Sequence, residues 1–168
     1  MKVRVTPSTC QGTVTIPPSK SMAHRSIICA SLAKGRSVIS NVAYSKDILA
    51  TIEGMRQLGA HIDIQEDTVI IDGIADLSKA DPTEVFCNES GSTLRFFIPL
   101  FSLCGKELTF TGKGRLLQRP QKVYEEIFQE QGLRFDQKEQ GITIDASLQP
   151  GEYSLRGDIS SQFISGLL

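Results

Sequence analysis

Hydrophobic and polar positions follow two periods along this chain, and the order of the two periods repeats. Apolar residues with helical spacing run over 48–58 and end at Gly59, and residues 59–72 then alternate as the two strands of a hairpin do. The same order returns 73 residues later, with helical spacing over 123–128 before Gly132 and alternation over 132–145. Repetition at this spacing predicts a fold built from similar units of helix and hairpin.

A second helix precedes each of these pairs, and it starts in a serine-rich turn. Such helices are predicted over 19–33 and 90–103, and a third start of the same kind, over 158–163, follows a predicted strand at 153–156. The whole pattern predicts an α+β fold with alternating strands and helices. We expect two complete units and the beginning of a third, after an N-terminal segment whose first five residues have the pattern of a strand.

Composition narrows the classes of protein that fit this pattern. The chain has 168 residues, of which 40% are hydrophobic and 22% are charged, and this is enough to bury a core. A formal net charge of -1 without a basic run argues against nucleic acid or a membrane surface as a partner. Residues 163–168 have the pattern of an opening apolar helix, and we therefore hypothesise that the sequence is the N-terminal piece of a longer protein.

Cysteine and histidine usage points to a reducing compartment and to chemistry without a metal. The four cysteines form no CxxC pair, and the two histidines have no second ligand at metal-binding spacing. The N-terminus lacks the long apolar core of a signal peptide, and no apolar stretch approaches the ~18 residues of a membrane span. We therefore predict a cytoplasmic protein with no metal and no cofactor.

The first candidate site is the stretch PPSKSMAHR at residues 17–25. The prolines set up a helix start, and Ser19 or Ser21 can cap its free N–H groups. Lys20 and Arg25 then add positive charge at a helix end where the macrodipole already favours an anion. The alternative is an ordinary capped helix with solvated lysine and arginine.

Two further turns have similar chemistry. Residues 88–95 place Gly91 among hydroxyls and one turn before Arg95, and residues 158–162 place Asp158 ahead of two serines and a glutamine. Between them, Arg119 stands directly before Pro120 at a predicted helix start, where it can reach toward a second anion. Each turn alone could be a generic helix cap. The repeated order of serine and then arginine favours anion binding.

Four motifs in order carry a family resemblance: SKSxxxR at 19–25, SGSTxR at 90–95, QRP at 118–120 and SSQF at 160–163. With them the chain resembles the 5-enolpyruvylshikimate-3-phosphate synthase family of enolpyruvyl transferases. The resemblance implies two lobes, each of three βαβαββ units, with helix N-termini directed at the cleft between the lobes. It divides this chain into a segment 1–16 that belongs with the second lobe, units at 17–80 and 81–150, and a truncated third unit at 151–168.

The resemblance also assigns residues to two substrates. Lys20, which would lie between the two anions, is the one residue of this chain to which it gives a catalytic role. The reaction implied is attack of the 5-hydroxyl of shikimate 3-phosphate on phosphoenolpyruvate, followed by loss of phosphate, with no metal or cofactor. The residues implied for shikimate 3-phosphate are Lys20, Ser21, Arg25, Ser160, Ser161 and Gln162, and those for phosphoenolpyruvate are Lys20, Gly91, Arg119 and Gln162.

The same resemblance places the acid and base residues of the reaction beyond Leu168. We therefore expect the isolated chain to fold, to lack turnover and to bind shikimate 3-phosphate at most weakly. Glu89 stands where many relatives have asparagine, so we leave it out of the site. The partners expected are the two small substrates, without nucleic acid or membrane, and the complete protein is expected to be a monomer.

Two alternatives remain open at this point. One is the sibling carboxyvinyl transferase that acts on UDP-N-acetylglucosamine, although it usually has asparagine where Ser21 stands. The other is a non-catalytic module that binds anions through the same capped helices.

Overall fold

Two sheets and the helices packed against them make up the structure, a computed structural model that describes residues 2–4, 6–7, 9, 11–145 and 147–168. Within these residues no helix is long and apolar enough to cross a membrane. In chain order the elements are α1 (Lys20–Leu32), β1 (Arg36–Ile39), α2 (Lys46–Gln57), β2 (His61–Gln65), β3 (Thr68–Asp72), a 3-10 turn (Leu77–Lys79), β4 (Glu84–Phe86), α3 (Gly91–Ser102), β5 (Leu108–Thr111), α4 (Lys122–Glu130), β6 (Phe135–Gln137), β7 (Ile142–Ile144) and α5 (Ser161–Leu167).

The two sheets repeat one topology. The first has the order β1-β3-β2 with antiparallel neighbours, and the second has the order β4-β5-β7-β6. In the second sheet β4 and β5 are parallel, whereas β7 is antiparallel to both β5 and β6. Strands β1, β2 and β3 therefore correspond to β5, β6 and β7. Both predicted hairpins and the predicted helices over 19–33, 48–58, 90–103 and 123–128 are confirmed to within a few residues.

Of the two predicted strands outside the sheets, the one over 153–156 is absent, so that prediction was wrong, and the one over 1–5 is not formed in its described residues. Residues 2–4 form no strand, while Met1 and Val5 lie outside the described residues, and residues 153–156 also lack strand pairing. The first unit therefore has the order αβαββ, since none of the described residues before Lys20 is in a strand. Alternating side chains indicate an extended backbone, but a strand also needs a neighbour that shares its hydrogen bonds. Tyr153 instead accepts a hydrogen bond from the amide of Gln131 at 3.0 Å.

Helix α3 lies at the centre of the core, and an internal proline changes its hydrogen bonds. Pro99 has no N–H, so the carbonyl of Arg95, four residues earlier, loses its helical donor. The hydroxyl of Tyr124 on α4 donates to that carbonyl at 2.5 Å. Tyr124 is fully buried. The proline thus creates an acceptor through which α4 is attached to α3.

Candidate active site

The start of α1 has the geometry that the sequence predicts. Ser19 is the N-cap, and its hydroxyl accepts a hydrogen bond from the N–H of Met22 at 3.4 Å. Ser21 is exposed in the first turn. The Lys20 side chain is 53% exposed and its ammonium lies 2.6 Å from a carboxylate oxygen of Asp47. Of the two possible caps, Ser19 is therefore used, and Ser21 remains accessible.

Asp47 is a residue of this site that sequence analysis did not identify. It lies in the first turn of α2, whose N-cap is Ser45, and its side chain is 24% exposed. An acidic residue in a first turn is a common complement to the helix macrodipole, so nothing in the local sequence marks it as the partner of Lys20. The ion pair holds the Lys20 ammonium between the first turns of α1 and α2.

Arg25 connects α1 to the other helices. Its guanidinium donates to the carbonyl of Ser21 at 3.1 Å and to the hydroxyl of Ser165 on α5 at 3.1 Å. The same group lies 5.0 Å from the centre of the Phe96 ring on α3. Arg25 is therefore held on the same face as the start of α1 and is not a freely solvated side chain.

The start of α3 is capped by Ser90 and faced by an arginine from another part of the chain. The Ser90 hydroxyl accepts hydrogen bonds from the N–H of Thr93 at 3.1 Å and from its hydroxyl at 2.7 Å. A Cβ built on Gly91 would lie 2.7 Å from Nη1 of Arg119. Arg119 therefore reaches the N-terminus of α3. The sequence predicted that this side chain reaches toward a helix end. Helix α4 itself begins at Lys122, two residues later than Pro120 predicted.

Gln162 joins α5 to the first turn of α3. Its amide nitrogen donates to the Ser92 hydroxyl at 2.7 Å, and its amide oxygen accepts from Arg95 at 2.8 Å. The N-cap of α5 is Ser160, whose hydroxyl accepts from the N–H of Gln162 at 3.2 Å. Both polar ends of the Gln162 side chain are thus bonded to α3, and Gln162 is not a solvated residue after a cap.

The guanidinium groups of Arg95 and Arg119 give the start of α3 a positive charge that no carboxylate among the described residues pairs with. Burial, and then the nearby Arg119, lower the pKa of Arg95 from its usual value. In the described part of the chain, neither Arg95 nor Arg119 forms a salt bridge. The Glu89 carboxylate lies against Gly114, where a Cβ would fall 2.3 Å from its Oε1. Uncompensated charge beside free N–H groups is the arrangement that an anion neutralises.

Comparison with known proteins places this arrangement in a family. The family model of EPSP synthase, described as 3-phosphoshikimate 1-carboxyvinyltransferase, matches residues 5–168.

This chain belongs to the EPSP synthase family.

Named relatives of high identity come from clostridia. The chain is 52% identical to a 3-phosphoshikimate 1-carboxyvinyltransferase of Clostridium perfringens strain SM101, over 99% of this chain and 40% of that protein. It is 47% identical to the enzyme of that name from Clostridium kluyveri, of which it covers 39%. This EPSP synthase family chain therefore spans about two fifths of the length of the curated relatives.

Solved structures confirm the mixed α/β fold. EPSP synthase from Acinetobacter baumannii superimposes with a TM-score of 0.76 at 25% identity, over 92% of this chain and 37% of that one. A second structure of EPSP synthase from the same organism gives a TM-score of 0.75 at 24% identity.

The structure brings most of the residues expected of an EPSP synthase family member onto joined helix ends. Lys20, Ser21 and Arg25 lie on the first two turns of α1, and Ser160, Ser161 and Gln162 lie at the start of α5. Gly91 and Arg119 meet at the start of α3. Among the described residues, no group of three or more His, Cys, Asp or Glu side chains is arranged to hold a metal ion. Sequence analysis missed Asp47 and also a set of buried hydroxyls beside Ser90.

Proposed function

We propose that this chain supplies the substrate-binding helix ends of a 3-phosphoshikimate 1-carboxyvinyltransferase. The reaction transfers the enolpyruvyl group of phosphoenolpyruvate to the 5-hydroxyl of shikimate 3-phosphate and releases phosphate. The hydroxyl oxygen loses its proton and attacks C2 while C3 gains a proton, and the tetrahedral intermediate then loses phosphate together with one C3 proton. Both substrates are anions, so screening their charge and aligning them are the tasks for this part of the protein.

The observation that carries the proposal is the direct linkage of four helix starts by side chains. Lys20 links α1 to Asp47 on α2, and the hydroxyl oxygen of Thr93 on α3 lies 3.3 Å from the Asp47 carbonyl oxygen. Gln162 links the start of α5 to that of α3, whereas Arg25, in the second turn of α1, contacts Ser165 near the end of α5. The positive ends of these helices therefore lie together, as two neighbouring anions require.

The proposed roles follow from position. Ser21, Arg25, Ser160 and Ser161 would hold shikimate 3-phosphate between the starts of α1 and α5. Gly91 and Arg119 would hold phosphoenolpyruvate at the start of α3, where backbone N–H groups and a guanidinium act together. Lys20 and Gln162 would contact both substrates, and Lys20 would stabilise charge that develops during transfer.

Lys20 must exchange one partner for another when the substrates bind. Its ammonium is held by Asp47 at 2.6 Å, on the exposed side of both helices. An ion pair with this exposure contributes at most about 1 kcal/mol, so anionic substrates can compete for the ammonium at small cost. Asp47 then keeps the Lys20 side chain oriented before the substrates arrive.

The test uses this chain together with the part of a relative that it does not span. We define the complemented protein as this chain mixed with the part of the Clostridium perfringens relative that the chain does not match. We expect phosphate release from phosphoenolpyruvate in the presence of shikimate 3-phosphate. UDP-N-acetylglucosamine should give none, and the chain alone should give none. Release with the nucleotide sugar would support the sibling transferase instead.

Direct binding provides a second measurement. Calorimetric titration of the chain with shikimate 3-phosphate should give weak binding, and Arg25→Ala should remove it. Binding without any turnover in the complemented protein would favour the non-catalytic anion-binding module. We further infer a cytoplasmic location and a monomeric complete protein, which fractionation of cells and sedimentation of the complete protein would check.

A further inference from the structure

Four buried polar side chains form a continuous line from α1 to the cap of α3. Nδ1 of His24 lies 2.7 Å from the hydroxyl of Thr51, and that hydroxyl lies 2.8 Å from the hydroxyl of Thr93. The Thr93 hydroxyl lies 2.7 Å from that of Ser90. All four residues are at most 1% exposed. The line therefore joins three helices without contact with water.

Each hydroxyl has one proton, and this couples the groups to one another. If Thr93 donates to Ser90, then Thr51 donates to Thr93 and the imidazole donates from Nδ1–H to Thr51. Thr93 is the donor to Ser90, so this is the direction that the structure shows. The line thus assigns the Nδ1–H tautomer to His24, and that N–H fixes the direction of the hydroxyls as far as the cap.

The line of buried polar side chains costs more free energy than capping α3 would require. Ser90 alone satisfies the N–H of Thr93, whereas the Nε2 atom of His24 is buried with no hydrogen-bond partner among the described residues. A buried polar atom without a partner costs about 1–3 kcal/mol. An apolar side chain at position 24 would avoid this cost.

We propose that His24 is a positioning residue whose neutral imidazole, through Thr51 and Thr93, orients the Ser90 hydroxyl and thereby the first-turn N–H groups at Gly91. The proposal rests on the proposed function in so far as those N–H groups meet phosphoenolpyruvate. His24 itself contacts no substrate in this arrangement. Its effect passes through three hydrogen bonds to the cap.

The surroundings of His24 keep its ring neutral. Burial lowers the pKa of His24 to about 4, and the charged groups that act on it are Asp47, which raises the pKa, and Lys20 and Arg25, which lower it. A neutral ring has one N–H, so only two tautomers are available. Near neutral pH the ring is therefore able to keep the Nδ1–H tautomer that the direction of the line requires.

The first test needs no ligand and uses NMR spectra of the chain. Nitrogen shifts of the His24 ring should show a single neutral tautomer near neutral pH. Thr51→Val and His24→Leu should each move the amide signals of Gly91 and Thr93. His24→Asn places an amide near the position of Nδ1 and should restore those signals, whereas His24→Gln, which reaches the position of Nε2, should not.

The control variant is Ser102→Ala, which removes another buried hydroxyl of α3. The Ser102 hydroxyl donates to the carbonyl of Pro99 at 2.6 Å in the last turn, away from the cap. Ser102→Ala should lower the free energy of unfolding without moving the Gly91 amide signal. If Thr51→Val moves that signal no more than Ser102→Ala does, or if His24→Asn behaves like His24→Leu, the proposal is wrong.

The second test measures binding of phosphoenolpyruvate to the complemented protein. Loss of one hydrogen bond in the line should raise the KM for phosphoenolpyruvate about three- to tenfold in Thr51→Val. The KM for shikimate 3-phosphate should stay within about twofold, and His24→Asn should return the phosphoenolpyruvate value toward that of the wild type. If the wild type shows no turnover while the NMR results hold, the proposed function fails and the positioning role stands.

Discussion

The guanidinium of Arg119 lies against the backbone of Gly91, so close that a Cβ on Gly91 would fall 2.7 Å from Nη1. Position 91 therefore has no room for a side chain while Arg119 keeps this place. The closeness brings the positive charge of Arg119 directly beside the first N–H groups of α3.

Replacing Gly91 by alanine should move Arg119 and weaken phosphoenolpyruvate binding. The added methyl group meets the end of a flexible side chain, which can shift, so the fold should not be lost. We expect the KM for phosphoenolpyruvate in the complemented protein to rise about tenfold. Gly151→Ala is the control, because nothing lies within 4 Å of its Cβ position. Unchanged kinetics for Gly91→Ala would mean that Arg119 does not act at this point.

Removing the Lys20 charge should abolish turnover at little cost in stability. Lys20→Met should lower kcat of the complemented protein by at least about 100-fold, whereas the free energy of unfolding should change by less than about 1 kcal/mol. Lys106 provides a matched control, since its side chain is 50% exposed, close to the 53% of Lys20, and its ammonium lies 2.5 Å from a carboxylate oxygen of Asp81. Lys106→Met should have a similar effect on urea unfolding and none on kcat. Equal kinetic effects of the two variants would rule out the role of Lys20.

The hydroxyl of Tyr124 should matter for stability because Pro99 removes a donor. In Tyr124→Phe the buried carbonyl of Arg95 is left without a partner, which should cost about 1–3 kcal/mol in the free energy of unfolding. Pro99→Ala provides a backbone N–H four residues after Arg95 and should reduce that cost. A double-mutant cycle in urea measures the coupling between the two positions. Additive effects of the two substitutions would show that Tyr124 acts in some other way.

His24 should make stability depend on pH between about 4 and 6.5. The unfolded value is 6.5, and burial lowers the pKa in the folded chain to about 4, so the unfolded state binds more protons in this interval. The contribution of the neutral His24 ring to the free energy of unfolding is complete above pH 6.5 and is lost as pH falls toward 4. Its upper limit is roughly 3 kcal/mol. Urea unfolding across this interval should show a smaller pH dependence for His24→Asn than for the wild type. Ser102→Ala, which removes a buried hydroxyl and no titratable group, gives the control: it should leave the pH dependence unchanged.

How far the sequence predicts the structure differs between local and distant features. The caps at Ser19, Ser90 and Ser160 follow from hydroxyls placed at the starts of helical patterns. The two hairpins follow from alternation after a glycine. The predicted strands at 1–5 and 153–156 failed in the described residues because alternation reports an extended backbone and cannot show whether a neighbouring strand pairs with it.

In the candidate site, too, local features were predicted from the sequence and contacts between distant residues were not. Four ordered motifs indicated Lys20, Arg25, Gly91, Arg119 and Gln162, and the structure places all of them at helix starts or against one. The sequence did not indicate Asp47 as the partner of Lys20, because an acidic residue in the first turn of a helix is ordinary. Nor did it indicate the role of His24, which reads as an unremarkable position on an apolar helix.

By itself, the amino-acid order determined the periods of the helices and strands, their caps and the repeat of one unit, since these depend on residues a few positions apart. Only the tertiary structure decided which helix starts meet. Gln162 reaches Ser92 across 70 positions and Arg25 reaches Ser165 across 140, and no local pattern encodes either contact. The packing of helices around α3 brings these groups together, and that packing depends on the shapes of all the buried side chains at once.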